Sequence, residues 1–310
     1  MKILVTYKIP VASFSELGEE HTYTLPEATA FTKEEVIRMI PAYDALLPIF
    51  TYPIDRDIID AGRNLKIISN FGVGYNNIDI KHAHAGGITV CNTPKAVCFP
   101  TAEMAMGLIL STARRIAECD RRIRVEKESM WGTMCNLGYT LEGRTLGIIG
   151  MGNIGKMVAR MAEAFHMKVI YFNRSSSVEG YEKVALDTLL QRADFISIHT
   201  PLTDETRKMI GQRELALMKP TAILVNTARG AVIDEVALAD CLLHKRIAGA
   251  GLDVFEDEPH VNEVLYGLEN VVLTPHNATG TIDTRIATGR EAVANILHFL
   301  AGTPTNVIRG

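Results

Sequence analysis

The sequence has 310 residues, 47% of them hydrophobic and 22% charged, a balance that fits a globular chain and excludes collagenous, low-complexity and disordered classes. At roughly 100–200 residues per domain, two domains are expected. With 32 Lys and Arg against 36 Asp and Glu, the net charge of -4 gives no electrostatic footprint for nucleic acid or an anionic membrane, so a small anionic substrate has to be met by local groups.

In chain order, short β-prone apolar runs alternate with amphipathic stretches: 3–5, 45–47, 65–68, 88–90, 146–149, 169–172, 195–198, 222–225 and 271–273. That rhythm predicts parallel sheets with crossover helices. The opening stretch Met1–Pro10 is too short for the apolar core of a signal peptide and reads as a first strand. The apolar stretch from Met104 to Ala113 stops at Arg114, well below the ~20 residues that a membrane span needs. Cysteines at 91, 98, 119, 135 and 241 form an odd set without a C-x-x-C pair, which reads as reduced thiols in a soluble, cytoplasmic protein. Thr32 and Glu35 have the spacing of a capping box, and Asp234 precedes a helical pattern over Val236–Leu243.

The longest helical pattern starts near Pro100 and runs through Ala102, Met104, Ala105, Leu108, Ile109, Ala113 and Ile116 to Arg124. Its first two turns are apolar nearly all round, which predicts cover on every side, from a second domain or a second subunit. Its last part carries Arg114, Arg115, Arg121, Arg122 and Arg124. With Glu118 three and four residues before Arg121 and Arg122, this reads as a solvated, ion-paired face rather than a nucleic-acid contact.

Gly150, Gly152 and Gly155 form a Gly-x-Gly-x-x-Gly pattern between a buried strand pattern (145–149) and a helix pattern (153–165), and the next strand pattern follows at 168–172, the spacing of a βαβ unit. In this setting the first glycine allows the tight turn, the second lets backbone approach a pyrophosphate and the third permits close packing. The helix start offers unpaired amides at Gly152, Asn153, Ile154 and Gly155. A dinucleotide is the expected ligand. After the second strand, where NAD enzymes place a ribose-binding carboxylate, the sequence has Asn173-Arg174-Ser175-Ser176-Ser177. An amide, a guanidinium and hydroxyls can hydrogen-bond a 2′-phosphate that a carboxylate would repel, and each charge-assisted bond contributes about 1.5–3 kcal/mol. NADP(H) is therefore the expected cofactor, with NAD(H) the alternative if Arg174 simply points into solvent.

Three further segments place titratable residues just after apolar strand patterns: Asn226-Thr227-Ala228-Arg229-Gly230, Asp253 to Pro259, and Thr274-Pro275-His276-Asn277. The carboxyl ends of parallel strands are where α/β ligands bind. Together with Phe71–Asp79, Cys91–Pro94, Thr101–Glu103 and His199–Thr206, these segments resemble the D-isomer-specific 2-hydroxyacid dehydrogenase family over essentially the whole chain. The Asn-Arg-Ser stretch is most similar to its NADPH-preferring glyoxylate/hydroxypyruvate reductases.

The resemblance implies an α/β chain of two doubly wound parallel-sheet domains. A Rossmann cofactor domain (99–278) is inserted in a discontinuous, flavodoxin-like substrate domain (1–98 and 279–310), and the long helix helps to build a homodimer. It assigns Arg229 to the carboxylate and carbonyl of a 2-oxo acid, a task for a planar guanidinium with paired donors. It makes His276 the acid and Glu258, beside Pro259, its partner, in preference to Glu256 and Asp257. It assigns the amides of Val73 and Gly74 to the substrate carboxylate, Asp253 to the nicotinamide amide, and Thr200, Pro201, Thr206, Thr227 and Ala228 to the cofactor cleft. A carboxylate beside imidazole favours the protonated ring that reduction requires. His82 and His84 would point to different faces of a helix, and no other His/Cys cluster has ligand spacing, so no metal is expected. Asn76 and Asn277–Gly280 depart from the family pattern, and the chain ends soon after the last helix pattern, with no further regulatory domain expected. The rival readings are an NAD-dependent 3-phosphoglycerate or D-lactate dehydrogenase, and a dinucleotide-sensing binding protein on the same fold.

Overall fold

A computed structural model describes residues 1–127 and 131–309. The chain divides into two compact units, Met1–Cys98 with Thr279–Gly310, and Phe99–Ala278.

The first unit is built on five parallel strands: β1 (Lys2–Val5), β2 (Thr22–Thr24), β3 (Ala45–Leu47), β4 (Ile67–Ser69) and β5 (Thr89–Cys91), in the order β2-β1-β3-β4-β5. This is the flavodoxin-like doubly wound order. Strands covered by helices on both faces have to be apolar throughout rather than alternating, and residues 3–5, 45–47 and 67–68 are all fully buried. Their side chains still alternate between faces: Leu4, Leu46, Ile68 and Val90 join Val36, Ile40 and Ile58, whereas Ile3, Val5, Ala45, Leu47 and Ile67 join Ala292, Val293 and Ile296. The last three belong to the helix Ile282–Leu300, so the end of the chain completes this unit. Gly289 on that helix lies against Ser13, where a Cβ would come within 2.1 Å of the hydroxyl oxygen. The capping box at Thr32 and Glu35 is formed.

The second unit has seven parallel strands: β6 (Thr145–Ile149), β7 (Lys168–Phe172), β8 (Glu182–Lys183), β9 (Phe195–Ile198), β10 (Ile223–Asn226), β11 (Gly249–Leu252) and β12 (Val271–Leu273). Their order is β12-β11-β10-β9-β6-β7-β8. The winding reverses between β6 and β9, which makes the carboxyl ends of these two strands the topological switch point, the crevice where ligands bind in open α/β sheets. The helix Cys98–Ala113 buries Ala102, Ala105, Leu108, Ile109 and Ala113 in this unit's core. It approaches β11 closely, since a Cβ on Gly251 would lie 2.9 Å from Leu108. In the single chain the helix is not covered all round, because Phe99, Glu103 and Gly107 form an exposed stripe.

The arginine-rich stretch beyond it is ion-paired. The side chain of Glu118 meets Arg115 (2.6 Å) and Arg122 (3.4 Å) rather than Arg121, which turns to Glu126 and Glu269. Among the described residues no helix is long and apolar enough to cross a membrane.

Candidate active site

At the switch point β6 runs into Gly150, whose φ of +99° lies in the region that side chains disfavour. A Cβ there would also meet the His199 carbonyl at 2.7 Å. Two bonds tie the turn to the end of β7: Gly150 N–H to Phe172 O (2.9 Å) and Met151 N–H to Asn173 Oδ1 (2.7 Å). At Gly155 a Cβ would press to 2.4 Å from Gly150 O, so the helix Asn153–Ala164 starts directly against the turn. Gly152 by contrast faces open space, with nothing within 4 Å of where its Cβ would be. Among the described residues no side chain caps this helix, so its first-turn donors and positive dipole end are available to an anion. Residues Gly152–Gly155 therefore fit a pyrophosphate. The buried Thr227 hydroxyl after β10 meets no hydrogen-bond partner among the described residues, a further polar group left for a ligand.

Beyond β7 the polar residues divide their work. Asn173 is occupied at both ends, accepting from Met151 and donating to Ser176 Oγ (2.9 Å), so it braces the glycine turn. Arg174 and Ser175 are exposed. The Arg174 guanidinium stands 3.7 Å from Glu205, which lies on the loop after β9. The Thr203 hydroxyl (2.7 Å), with Arg174 nearby, holds the Glu205 carboxyl below the usual range. Thr206, expected at the cofactor, braces that loop, donating to Pro201 O (2.7 Å) and accepting from Thr203 N–H (2.8 Å). Thr200 and Pro201 lie on the same loop.

The three adjacent strands β10, β11 and β12 deliver the titratable groups. After β10, Asn226 donates to Arg229 O (2.9 Å) and accepts from Ala228 N–H (3.0 Å), closing a turn that projects Arg229. The Arg229 guanidinium donates to Ala228 O (2.6 Å), and among the described residues no carboxylate forms an ion pair with it. Burial lowers its pKa, partly offset by the charge of Glu258. A guanidinium stays charged in any protein setting, so this half-buried cation can take an anion.

After β12, His276 has a φ of +50°, unusual for a residue other than glycine. Its Nδ1 lies 2.6 Å from Glu258 Oε2, and the other Glu258 oxygen accepts the Phe255 N–H (3.1 Å). Burial works against ionisation of Glu258, but the hydrogen bond and charge of His276, the Phe255 amide and Arg229 outweigh it and hold the carboxyl below its ordinary value. The neighbouring acids are directed elsewhere: Glu256 pairs with Lys208 (2.8 Å), and the Asp257 side chain is 92% exposed.

Asp253, expected at the nicotinamide amide, is completely buried and committed to the His276 turn. It accepts from Thr274 Oγ1 (2.6 Å), Asn277 N–H (3.0 Å) and Ala278 N–H (2.9 Å). In the other unit, the loop after β4 is fixed from within. The carbonyls of Val73 and Gly74 accept from Asn92 and Asn70, both at 2.8 Å, and the Gly72 N–H donates to Thr93 Oγ1 at 2.8 Å. Among the described residues no group of three or more His, Cys, Asp or Glu is placed to hold a metal ion, and His82 pairs with Asp60.

Residues 106–278 match the family described as D-isomer specific 2-hydroxyacid dehydrogenase, NAD binding domain. The chain belongs to the D-isomer specific 2-hydroxyacid dehydrogenases. The glyoxylate reductase of Thermococcus litoralis is 42% identical, over 99% of this chain and 96% of that one. Among solved structures, a glyoxylate reductase from Paecilomyes thermophila superposes with a TM-score of 0.89 at 34% identity, covering 99% of this chain and 98% of the other. An NADPH-dependent glyoxylate/hydroxypyruvate reductase from Sinorhizobium meliloti, in complex with NADP and malonate, gives 0.86 at 32% identity, covering 99% and 96%. As a member of this family the chain is a nicotinamide-dependent dehydrogenase of small 2-hydroxy and 2-oxo acids. Two residues that carry no motif also shape the site: Asn226, which closes the Arg229 turn, and Glu235, which holds the segment carrying Glu258. Asn226 was visible only as the last polar residue of an apolar run, and Glu235 only as a first-turn acid.

Proposed function

We propose that this dehydrogenase works as a reductase of glyoxylate and hydroxypyruvate, giving the D-2-hydroxy acid where the product is chiral, with NADPH preferred and NADH accepted. The observation that carries this reading is the half-buried Arg229 guanidinium, with which no carboxylate of the described residues forms an ion pair, after β10, one strand from β11, which leads to Glu258, and two from β12, which leads to His276.

Arg229 binds the substrate carboxylate and draws electron density from the adjacent carbonyl through paired N–H donors. His276, held at Nδ1 by Glu258, delivers a proton from Nε2 to the carbonyl oxygen. Glu258 stays ionised and stabilises the charge of the ring. A bound reduced nicotinamide supplies the hydride to the carbonyl carbon. Gly152, Asn153, Ile154 and Gly155 hold its pyrophosphate, Thr227 and Ala228 line its cleft, and Arg174 with Ser175 meets the 2′-phosphate. The names of the relatives support glyoxylate and hydroxypyruvate as substrates.

A homodimer is supported by apolar groups left open in the single chain: Phe99 (56% exposed), and Ile116, Ile123, Val125, Trp131, Met134 and Leu137 beyond it. The five free cysteines support a cytoplasmic setting.

Steady-state rates with glyoxylate, hydroxypyruvate, pyruvate and branched 2-oxo acids, each with NADPH and with NADH, test the proposal. The highest kcat/KM is expected for glyoxylate or hydroxypyruvate with NADPH. Absence of oxo-acid-dependent oxidation of either cofactor would overturn it.

A further inference from the structure

One side chain closes both ends of the segment that carries Glu258. Glu235 is the first residue of the helix Glu235–Leu243 and is 8% exposed. One of its carboxylate oxygens accepts the Glu256 N–H at 2.8 Å and the other accepts the Asn262 N–H at 3.1 Å. The Glu256 carboxylate in turn accepts the Glu235 N–H at 3.3 Å. Residues 256–262 thus form a loop whose first and last amides end on a single carboxylate, with Glu258 inside it.

Glu235 is not needed to cap its own helix, because Asp234 does that through the Ala237 N–H (3.2 Å). Its carboxylate also lies at a helix N-terminus, where negative charge is favoured. The same stretch of chain meets the loop a second time. A Cβ on Gly230 would fall 1.9 Å from the Phe255 carbonyl, so the backbone just after Arg229 lies directly on the peptide that leads to Glu258. Contact at Gly230 sets the distance between the two segments, and Glu235 fixes how far the loop can slide or open.

We propose that Glu235 is a positioning residue for the reaction: it holds loop 256–262 so that Glu258 stays within hydrogen-bonding reach of His276 Nδ1. This rests on reading Glu258 and His276 as the acid/base pair. The carboxylate form is required, since the carboxamide of a glutamine has one acceptor for two amides and would turn an N–H group toward the second.

The test uses the full chain with Glu235→Gln, Glu235→Ala, Glu258→Gln and the double variant Glu235→Gln/Glu258→Gln. Reduction of the best oxo acid is followed with oxo acid and cofactor each varied. Small misplacements of a catalytic group cost up to about 100-fold, so kcat should fall about 10- to 100-fold in Glu235→Gln, with the cofactor KM within about twofold of wild type. Adding Glu235→Gln to Glu258→Gln should cause little further loss, because both changes remove the same contact. If Glu235→Ala fails to fold, Glu235→Gln, which keeps the shape and one acceptor, carries the measurement.

Wild-type kcat in Glu235→Gln, or losses that add in the double variant, would overturn the inference. An unimpaired Glu258→Gln would instead overturn the acid/base reading itself. An impaired Glu258→Gln beside an unimpaired Glu235→Gln removes the positioning role alone.

Discussion

The His276 amide donates to the Asp253 carbonyl at 2.8 Å, and the carboxylate of the same Asp253 receives the next two amides of the turn. A left-handed backbone at a residue with a side chain costs about 1–3 kcal/mol and persists only when its surroundings over-determine it. Asp253 supplies that constraint. In Asp253→Asn one of the two amides, the buried Ala278 N–H or the part-buried Asn277 N–H, loses its acceptor, an expected cost of about 1–3 kcal/mol in stability. Displacement of the imidazole should lower kcat by about 100-fold while the cofactor KM changes little. Steady-state kinetics with varied cofactor checks this, since a direct contact with the nicotinamide amide would appear chiefly as a raised cofactor KM.

Arg229 should not be replaceable by lysine. An ammonium carries the charge but not the planar fork that grips a carboxylate with two parallel bonds. Losing one partner of a buried charged pair costs about 2–5 kcal/mol. Arg229→Ala should therefore lose at least about 30-fold in kcat/KM for the oxo acid, through both kcat and KM, and Arg229→Lys should recover only a minor part. Equal activity of the lysine variant and wild type would show that charge alone suffices.

What could be read from the sequence follows from how each element is stabilised. Buried strands such as Ile67–Ser69 and Ile223–Asn226 read as apolar runs, whereas Gly249–Leu252, equally buried, did not, because its two glycines leave too few apolar side chains to make the pattern. The edge strands Thr22–Thr24 and Glu182–Lys183 gave no such signal. They are short and partly solvated, held by ladder hydrogen bonds to one neighbour. The glycine turn was legible because its glycines answer to local geometry. The partners of Asp253, Asn173 and Thr206 were not, because whether a polar side chain meets a ligand or a backbone amide depends on contacts that spacing does not encode. Asn173 and Asp253 lie 22 and 24 residues from the amides of Met151 and Asn277 that they hold.

Cofactor choice should respond in opposite directions to two substitutions at the end of β7 and the loop after β9. Arg174 lies 3.7 Å from Glu205, so a 2′-phosphate approaching the guanidinium also approaches a carboxylate. Both groups are well exposed, and solvent screens their interaction to well under its contact strength. Arg174→Ala should lower the NADPH-to-NADH ratio of kcat/KM by about 3- to 10-fold. Glu205→Gln should raise it by a similar or smaller factor, chiefly through the NADPH KM. Both effects should shrink as ionic strength rises. A ratio indifferent to both changes at low salt would assign the preference to other residues.

Acid should destabilise the chain partly through His199. Its ring contacts Ser197 Oγ at 2.8 Å, its Nδ1 is buried with no hydrogen-bond partner among the described residues, and burial lowers its pKa from 6.5 to about 3. The native ring therefore stays neutral over a range in which the unfolded ring takes up a proton. The corresponding stability is complete above the ordinary histidine value and is lost as pH falls from there toward the lowered value. Between about pH 7.5 and about pH 5 the loss from this one group amounts to about 2 kcal/mol, equivalent to a few degrees in Tm for a chain of this size. His199→Asn, which keeps a polar group near Ser197 but does not titrate, should have a Tm that falls less between these two pH values than the wild-type Tm does. Scanning calorimetry of both proteins makes the comparison directly, and because the other eight histidines contribute alike to each, identical falls in Tm would mean that the His199 ring is protonated without penalty.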